Sequence, residues 1–382
     1  MIIKNLKKAS DRILKAVKNK ENIILYGDND LDGATSVIIL KETITTLGGK
    51  TSALYFPDRE LEGYGITEKA LEKLKKFSPA LLIALDCGIG NLKEIKLATE
   101  LGFSVIVVDH HKVLDKLPEA DIIVDPKQSG EKYPFKDFAA AGIVFKLTEL
   151  LLKNKMSDSL RKNFMELVAL ATIADMMPQV DENKMFIEEG LSSMRNSWRP
   201  GIKALFESDS VEGYTFRQKI SKIISILNVR EVKNGLPVAF RVLTDPSFDQ
   251  ITKMIPGLIN KSEERKLKIR SIVEGIKLKV SKSSSPIIFE GGSGWDFTII
   301  SPVASFLCNS FGKPTFIFKK LEKESQGTAR SPSDIDSVAL MRECRQYVIT
   351  YGGHAQASGF RLKNENLEKF KDCLIKNMEK HL

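Results

Sequence analysis

Histidine is nearly absent from this 382-residue sequence, with four in all, and cysteine is equally scarce. The four cysteines (Cys87, Cys308, Cys344, Cys373) show no CxxC spacing. That argues against a thiolate zinc site and against a disulfide scaffold, so they are expected reduced and mostly buried. No run approaches the roughly 18 apolar residues that a bilayer span needs. The first twenty residues carry lysines but no continuous apolar block, so they read as an amphipathic surface helix, not a signal peptide. A soluble, cytoplasmic protein with no membrane partner is expected. Neither a GxSxG elbow nor a GxxxxGK[ST] loop occurs, which disfavours serine acyl transfer and P-loop nucleotide hydrolysis.

The length suggests two or three domains, and the ordinary balance of apolar and charged residues excludes wholesale disorder. A formal charge of +9 favours a polyanionic partner without identifying it. In the first half, short β-branched runs alternate with helical patterns. Ile23–Tyr26, Ala53–Phe56, Leu81–Leu85, Ser104–Val108 and Ile122–Val124 are strand candidates, separated by helical segments such as Val37–Leu47 and Leu92–Leu101. That alternation predicts an α/β fold with a parallel sheet covered on both faces. A long polar helix over 258–282, broken by the serine run before Pro286, would connect this region to a second, smaller α/β domain. The expected boundaries are 1–195, 196–257, 258–282 and 283–382.

Three of the strands run directly into acids, in IILYGDND, LLIALDCG and VIVVDHH, and a fourth acid ends the apolar run LVALATIAD. In open parallel sheets, ligands gather beyond the carboxyl ends of the strands. Asp28, Asp30 and Asp32 stand at every second position, which in extended geometry puts them on one face, while Gly33 would let the chain turn into the next helix. So many like charges demand a cation. An EF-hand would need a bidentate Glu where Ile39 stands. Asp109-His110-His111 adds imidazole and carboxylate at a strand end, and Asp86 and Asp175 complete a set without thiolates. Oxygen and imidazole together suit Mn2+, with Mg2+ as the competitor. Five carboxylates exceed what one divalent centre balances, so two ions are expected. Such a pair is the usual apparatus for in-line phosphoester hydrolysis.

GDNDLDGATS, LDCGI, VVDHHK, VDPKQ and ALATIADMMP, followed by GTARS and YGGHAQASGF, resemble the DHH phosphoesterase superfamily. Their order is similar to that of its RecJ branch of single-strand-specific exonucleases. The resemblance implies a catalytic DHH domain, a long helix and a DHH-associated substrate-binding domain, with the active site in the cleft between the domains. It implies that Asp28 and Asp30 hold the first metal, that Asp32, His110 and Asp175 hold the second, and that Asp86 bridges both. Asp109 would orient His110, and His111 would face the scissile phosphate. Gly352, Gly353 and His354 would grip the adjacent phosphate through backbone amides and imidazole. Arg330 and Ser331 of the GTARS segment would clamp the backbone, with Arg59 and Asn228 as further substrate contacts.

The sequence also departs from that pattern. Around Asn228 the arginine of the family segment is displaced to Arg230, Asp296 replaces a histidine, and Pro302 interrupts a glycine-containing turn. No oligonucleotide-binding barrel is expected before Leu382. The leading expectation is a metal-dependent phosphodiesterase acting as a 5′→3′ exonuclease on single-stranded DNA, or RNA, and releasing mononucleotides beside replication or repair proteins. Two alternatives stay open. One is a phosphodiesterase of short oligonucleotides or cyclic dinucleotides, the other a non-catalytic replication scaffold.

Overall fold

A computed structural model describes residues 1–113, 116–229 and 231–379. The chain forms two compact units, Met1–Ser262 and Glu263–Leu382. Among the described residues, no helix is long and apolar enough to cross a membrane.

The first unit opens with helix α1 (Leu6–Lys18) and strand β1 (Asn22–Gly27), then α2 (Leu31–Thr46), β2 (Ala53–Tyr55) and α3 (Glu68–Leu74). Strand β3 (Ala80–Leu85), α4 (Leu92–Glu100), β4 (Phe103–Val108) and β5 (Ile122–Val124) complete its sheet. All four pairings are parallel, in the order β2-β1-β3-β4-β5. The apolar runs are continuous because both faces are covered. Ile23 and Leu25 pack into one core with residues of α1 and α2, while Ile24 and Tyr26 pack into the opposite core with α3 and α4. The chain steps from β1 to one neighbour and returns on the other side to β3, which opens a crevice at the carboxyl ends of these two strands.

Helices α5 (Ala140–Leu152), α6 (Asp158–Ala174) and α7 (Asp181–Met194) follow, and α5 and α6 bury their apolar faces in the first core. Beyond them lie α8 (Pro200–Glu207), α9 (Phe216–Leu227), a short hairpin of β6 (Val232–Lys233) and β7 (Leu236–Pro237), and α10 (Val238–Thr244). Helix α11 (Phe248–Val280) starts ten residues before the expected connector and runs straight through Pro256-Gly257. Buried Ile251, Ile255 and Leu258, on one helical stripe, hold it to the core across that breaker pair.

The second unit contains β8 (Ile288–Gly292), α12 (Phe297–Phe311), β9 (Thr315–Lys320), β10 (Glu324–Arg330), α13 (Ser337–Glu343), β11 (Thr350–Gly353), β12 (Ala357–Lys363) and α14 (Leu367–Met378). Its mixed sheet has the order β11-β12-β10-β9-β8, with only β8 and β9 parallel. Pro302 lies inside α12, not in a turn. One cysteine expectation is corrected. Cys344 and Cys373 form a disulfide between the end of α13 and α14, while Cys87 and Cys308 are free and buried. The two partners are 29 residues apart, and only the packing of α14 on α13 brings them together.

Candidate metal centre

Strand register builds the first row of the site. Gly27, Leu85, Val108 and Val124 end neighbouring strands in register, so the residues that follow them, Asp28, Asp86, Asp109 and Asp125, lie side by side. Backbone bonds continue the ladder one step further, from the Asp86 amide to the Val108 carbonyl (3.0 Å) and from the Asp109 amide to Val124 (3.1 Å). Asp86 has a φ of 62°, a left-handed conformation that is uncommon outside glycine and is stored at functional turns.

The acids after β1 converge by a different route from the expected extended strand. Asp30 is the N-cap of α2 and accepts from the Gly33 amide at 3.2 Å, while Asp32 already lies in the first helical turn. Gly33 is required by close approach, since a Cβ there would meet the Asp28 backbone oxygen at 2.4 Å. Both oxygens of Asp32 accept from the N-terminus of α5, from the amides of Ala140 (2.7 Å) and Ala141 (2.8 Å). A carboxylate is well placed there, against free amides and the positive end of a helix.

Among the described residues, three groups have donor atoms within 4.8 Å of one another: Asp28, Asp30 and Asp86; Asp32, His110 and Asp175; and Asp86, Asp109, His110 and His111. His110 Nε2 is 3.2 Å from Asp86 Oδ1, 3.6 Å from Asp175 Oδ2 and 3.9 Å from Asp32 Oδ2. Asp86 therefore belongs both to the set built on Asp28 and Asp30 and to the set around His110. Burial first, and then repulsion among the acids, pushes the Asp32 and Asp86 carboxyls well above the usual range. That donor set, oxygen-rich with two imidazoles and short of positive charge, fits a pair of divalent cations.

The DHH segment corrects one expected role. Asp109 Oδ1 accepts from the His111 ring at Nδ1 (2.7 Å) and from the backbone amides of His110 and His111 (2.8 and 3.2 Å), while Oδ2 accepts from the Ile89 amide (3.0 Å). Asp109 thus orients the His111 ring, not that of His110. Burial alone would raise its pKa, but the contact with His111, the nearby His110 and the Ile89 amide hold it well below the carboxylate range. Burial likewise opposes protonation of His111, and Asp109 outweighs it, raising the imidazole above its ordinary value.

Sequence reasoning missed three residues here. Asp125, in VDPKQ, is the fourth acid of the row; burial, then Asp109, raises its pKa to about 7. The Lys127 ammonium donates to the His110 carbonyl at 2.7 Å. Tyr64 Oη lies 3.3 Å from His111 Nε2. The strand-end position of Asp125 was a readable signal. The other two contacts arise only from tertiary packing. Arg59, expected at substrate, donates through Nε to Asp28 Oδ1 (3.0 Å) and through a second nitrogen to Asp28 Oδ2.

In the second unit, Arg330 ends β10 with Ser331 next after it, and both meet the β11–β12 hairpin, where Arg330 pairs with Ala357, Gly353 with Ser358, and the Ser331 amide donates to the Gln356 carbonyl. A Cβ on Gly353 would meet the Ala357 oxygen at 2.6 Å. The His354 amide donates to Ala357 within the turn (2.7 Å), so that amide is already engaged inside the hairpin. The Arg330 guanidinium turns onto α12, donating to Ser301 and Ser305, with a further bond to Thr328. Gly352 lies on β11, and Asn228 ends α9 with its amide bonded to Ile224. Arg230 lies outside the described residues.

The model of the DHH family N-terminal domain matches residues 22–172, and that of the DHHA1 domain matches 262–380. The single-stranded-DNA-specific exonuclease RecJ of Bacillus subtilis is 32% identical over 97% of the chain, which spans 47% of that relative's length. Solved structures agree in fold. RecJ in complex with Mn2+ from Thermus thermophilus has a TM-score of 0.83 at 23% identity, covering the whole chain and 55% of that structure. Exonuclease RecJ bound to manganese has a TM-score of 0.77 at 24% identity, covering 99% of the chain and 95% of that structure. Domain order, carboxylate cluster and relatives agree, and the chain belongs to the DHH family as a RecJ-like member.

Proposed function

We propose that the chain hydrolyses phosphodiester bonds of single-stranded DNA as a 5′→3′ exonuclease releasing mononucleotides, with RNA as a second substrate class. The carrying observation is Asp86, whose carboxylate stands in common between the Asp28–Asp30 set and the His110 set. A pair of Mn2+ ions, or Mg2+, bound there would lower the pKa of a water and neutralise charge on the attacked phosphate. In this reading Asp28, Asp30 and Asp86 hold the first ion, and Asp32, His110, Asp175 and Asp86 the second.

The chain's own groups have separate tasks. Asp32, pinned by the α5 amides, ties its ion to the fold. Asp109 fixes the His111 ring so that it faces the scissile phosphate. In the second unit, His354, Arg330 and Ser331 meet at one sheet end and grip the nucleic-acid backbone, as a guanidinium fork suits phosphate. The positive net charge supports a nucleic-acid ligand, and the RecJ relatives are named for single-stranded DNA. A cytoplasmic setting beside replication or repair proteins follows from this reading.

Single strands labelled at the 5′ or the 3′ end, with duplex controls, test the proposal in Mn2+ or Mg2+. The expected first product is a labelled mononucleotide from the 5′-labelled single strand alone. Release from the 3′ end, equal attack on duplex, or a steep preference for dinucleotides would replace the reading.

A further inference from the structure

Between β2 and α3 the chain passes over the DHH segment, and the only aromatic ring in Glu62-Gly63-Tyr64-Gly65 is held from several sides. Gly63 and Gly65 flank Tyr64 with φ values of 94° and 77°, conformations that residues with a Cβ rarely adopt. A Cβ on Gly65 would also strike Asn91 at 2.5 Å. The Asn91 side chain brackets the next residue, accepting from the Ile66 amide and donating to the Ile66 carbonyl, each at 3.1 Å. The buried Tyr26 hydroxyl donates to the Gly65 carbonyl at 2.9 Å. The Arg59 guanidinium lies 4.9 Å from the centre of the Tyr64 ring. Despite these anchors on its backbone and face, Tyr64 remains 46% exposed. An aromatic residue fixed this firmly while open to solvent is placed for something other than packing.

Its hydroxyl meets the outer nitrogen of His111, at 3.3 Å from Nε2. On the other side of that ring, Asp109 at 2.7 Å is a carboxylate that only accepts, so Nδ1 carries the proton. With the proton on Nδ1, Nε2 is the acceptor of the ring, and a donor hydroxyl suits it. The tyrosine O–H is such a donor, and phenylalanine is not.

We propose that Tyr64 is a positioning residue of the phosphodiesterase. It completes an Asp109–His111–Tyr64 chain that sets the tautomer and tilt of the imidazole beside the phosphate site. The inference rests on the hydrolytic reading of the same site. It adds a residue, the tautomer it enforces and the reason for the two glycines. Because Tyr64 acts through His111, its removal reduces turnover and leaves substrate affinity in place.

Tyr64→Phe tests this by two readouts. In steady-state hydrolysis of a labelled single strand, kcat falls about tenfold while KM stays within about twofold, the signature of lost orientation. On a His111→Asn background the same change adds no further loss. The second readout needs no substrate. In long-range 1H–15N spectra of histidine-labelled, Mg2+-loaded protein, Tyr64→Phe shifts the His111 Nε2 resonance and leaves Nδ1 in place. Four histidines keep that spectrum assignable. An unmoved Nε2 resonance, a wild-type kcat, a rise in KM alone, or a full additional loss on His111→Asn would each overturn the proposal. If the wild-type protein has no nuclease activity, the hydrolytic reading fails by itself and the spectrum still decides whether Tyr64 sets the His111 ring.

Discussion

Arg59 grips both carboxylate oxygens of Asp28 and lies 3.5 Å from Asp30 through the same guanidinium. A first divalent cation bound as proposed would draw on the same oxygens and compete with the guanidinium for them. Arg59→Gln is therefore expected to tighten the weaker Mn2+ site by about tenfold, which corresponds to about 1.4 kcal/mol. Isothermal titration with Mn2+ measures this directly, and weaker binding in the variant would show that Arg59 supports the ion instead of competing with it.

Asp32 and Asp86 are both buried acids, yet their removal should affect the fold in opposite directions. Asp32 satisfies two amides at the start of α5, so Asp32→Ala strands buried donors and should cost about 1–3 kcal/mol. In metal-free protein that appears as a Tm lower by roughly 5 °C. Asp86 has no comparable role, and burial and its acidic neighbours both disfavour its charge. Asparagine tolerates the left-handed backbone there, so Asp86→Asn should raise the metal-free Tm while abolishing turnover. Thermal melts in EDTA at pH 8 compare the two.

Asp125 supplies one component of the pH dependence of stability. Its carboxyl titrates near 7 in the folded protein because of burial, then Asp109, against about 3.9 in an unfolded chain. The folded state thus binds the proton more tightly. Its stabilising contribution is complete below about pH 4 and is lost as pH rises toward 7. Asp125→Asn, which cannot ionise, should flatten that decline and leave the metal-free protein more stable at pH 8, by a few kcal/mol at most. Urea denaturation of both proteins at pH 4, 6 and 8 measures it.

In the proposed function Arg330 and His354 grip the substrate. Arg330→Ala should raise the Kd for single-stranded DNA about tenfold and reduce the slope of log affinity against log salt by about one phosphate contact, with kcat little changed. Fluorescence anisotropy across a salt series separates this from a loss of turnover.

The sequence showed the sheet well because each central strand is buried on both faces and so forms an unbroken apolar run. The acids at the strand ends followed from the same fact. Contacts made across the fold could not be read that way. Asp32 is held by amides more than a hundred residues away, and the alternate spacing of Asp28, Asp30 and Asp32 suggested a shared strand face where a helix begins. Adjacent His110 and His111 look alike in sequence, and only the turn after β4 decides which ring Asp109 meets. Pro256-Gly257 marks a break locally, but the apolar stripe of α11 outweighs it. The two glycines around Tyr64 were visible, whereas its contact with His111 was not.

The central claim is that two divalent cations share Asp86. Anomalous diffraction from crystals grown in Mn2+ tests it most directly. The account predicts two manganese peaks roughly 3.5–4 Å apart, one beside Asp30 and one beside His110, with the Asp86 carboxylate between them. A single peak, or two peaks that do not share Asp86, would contradict it.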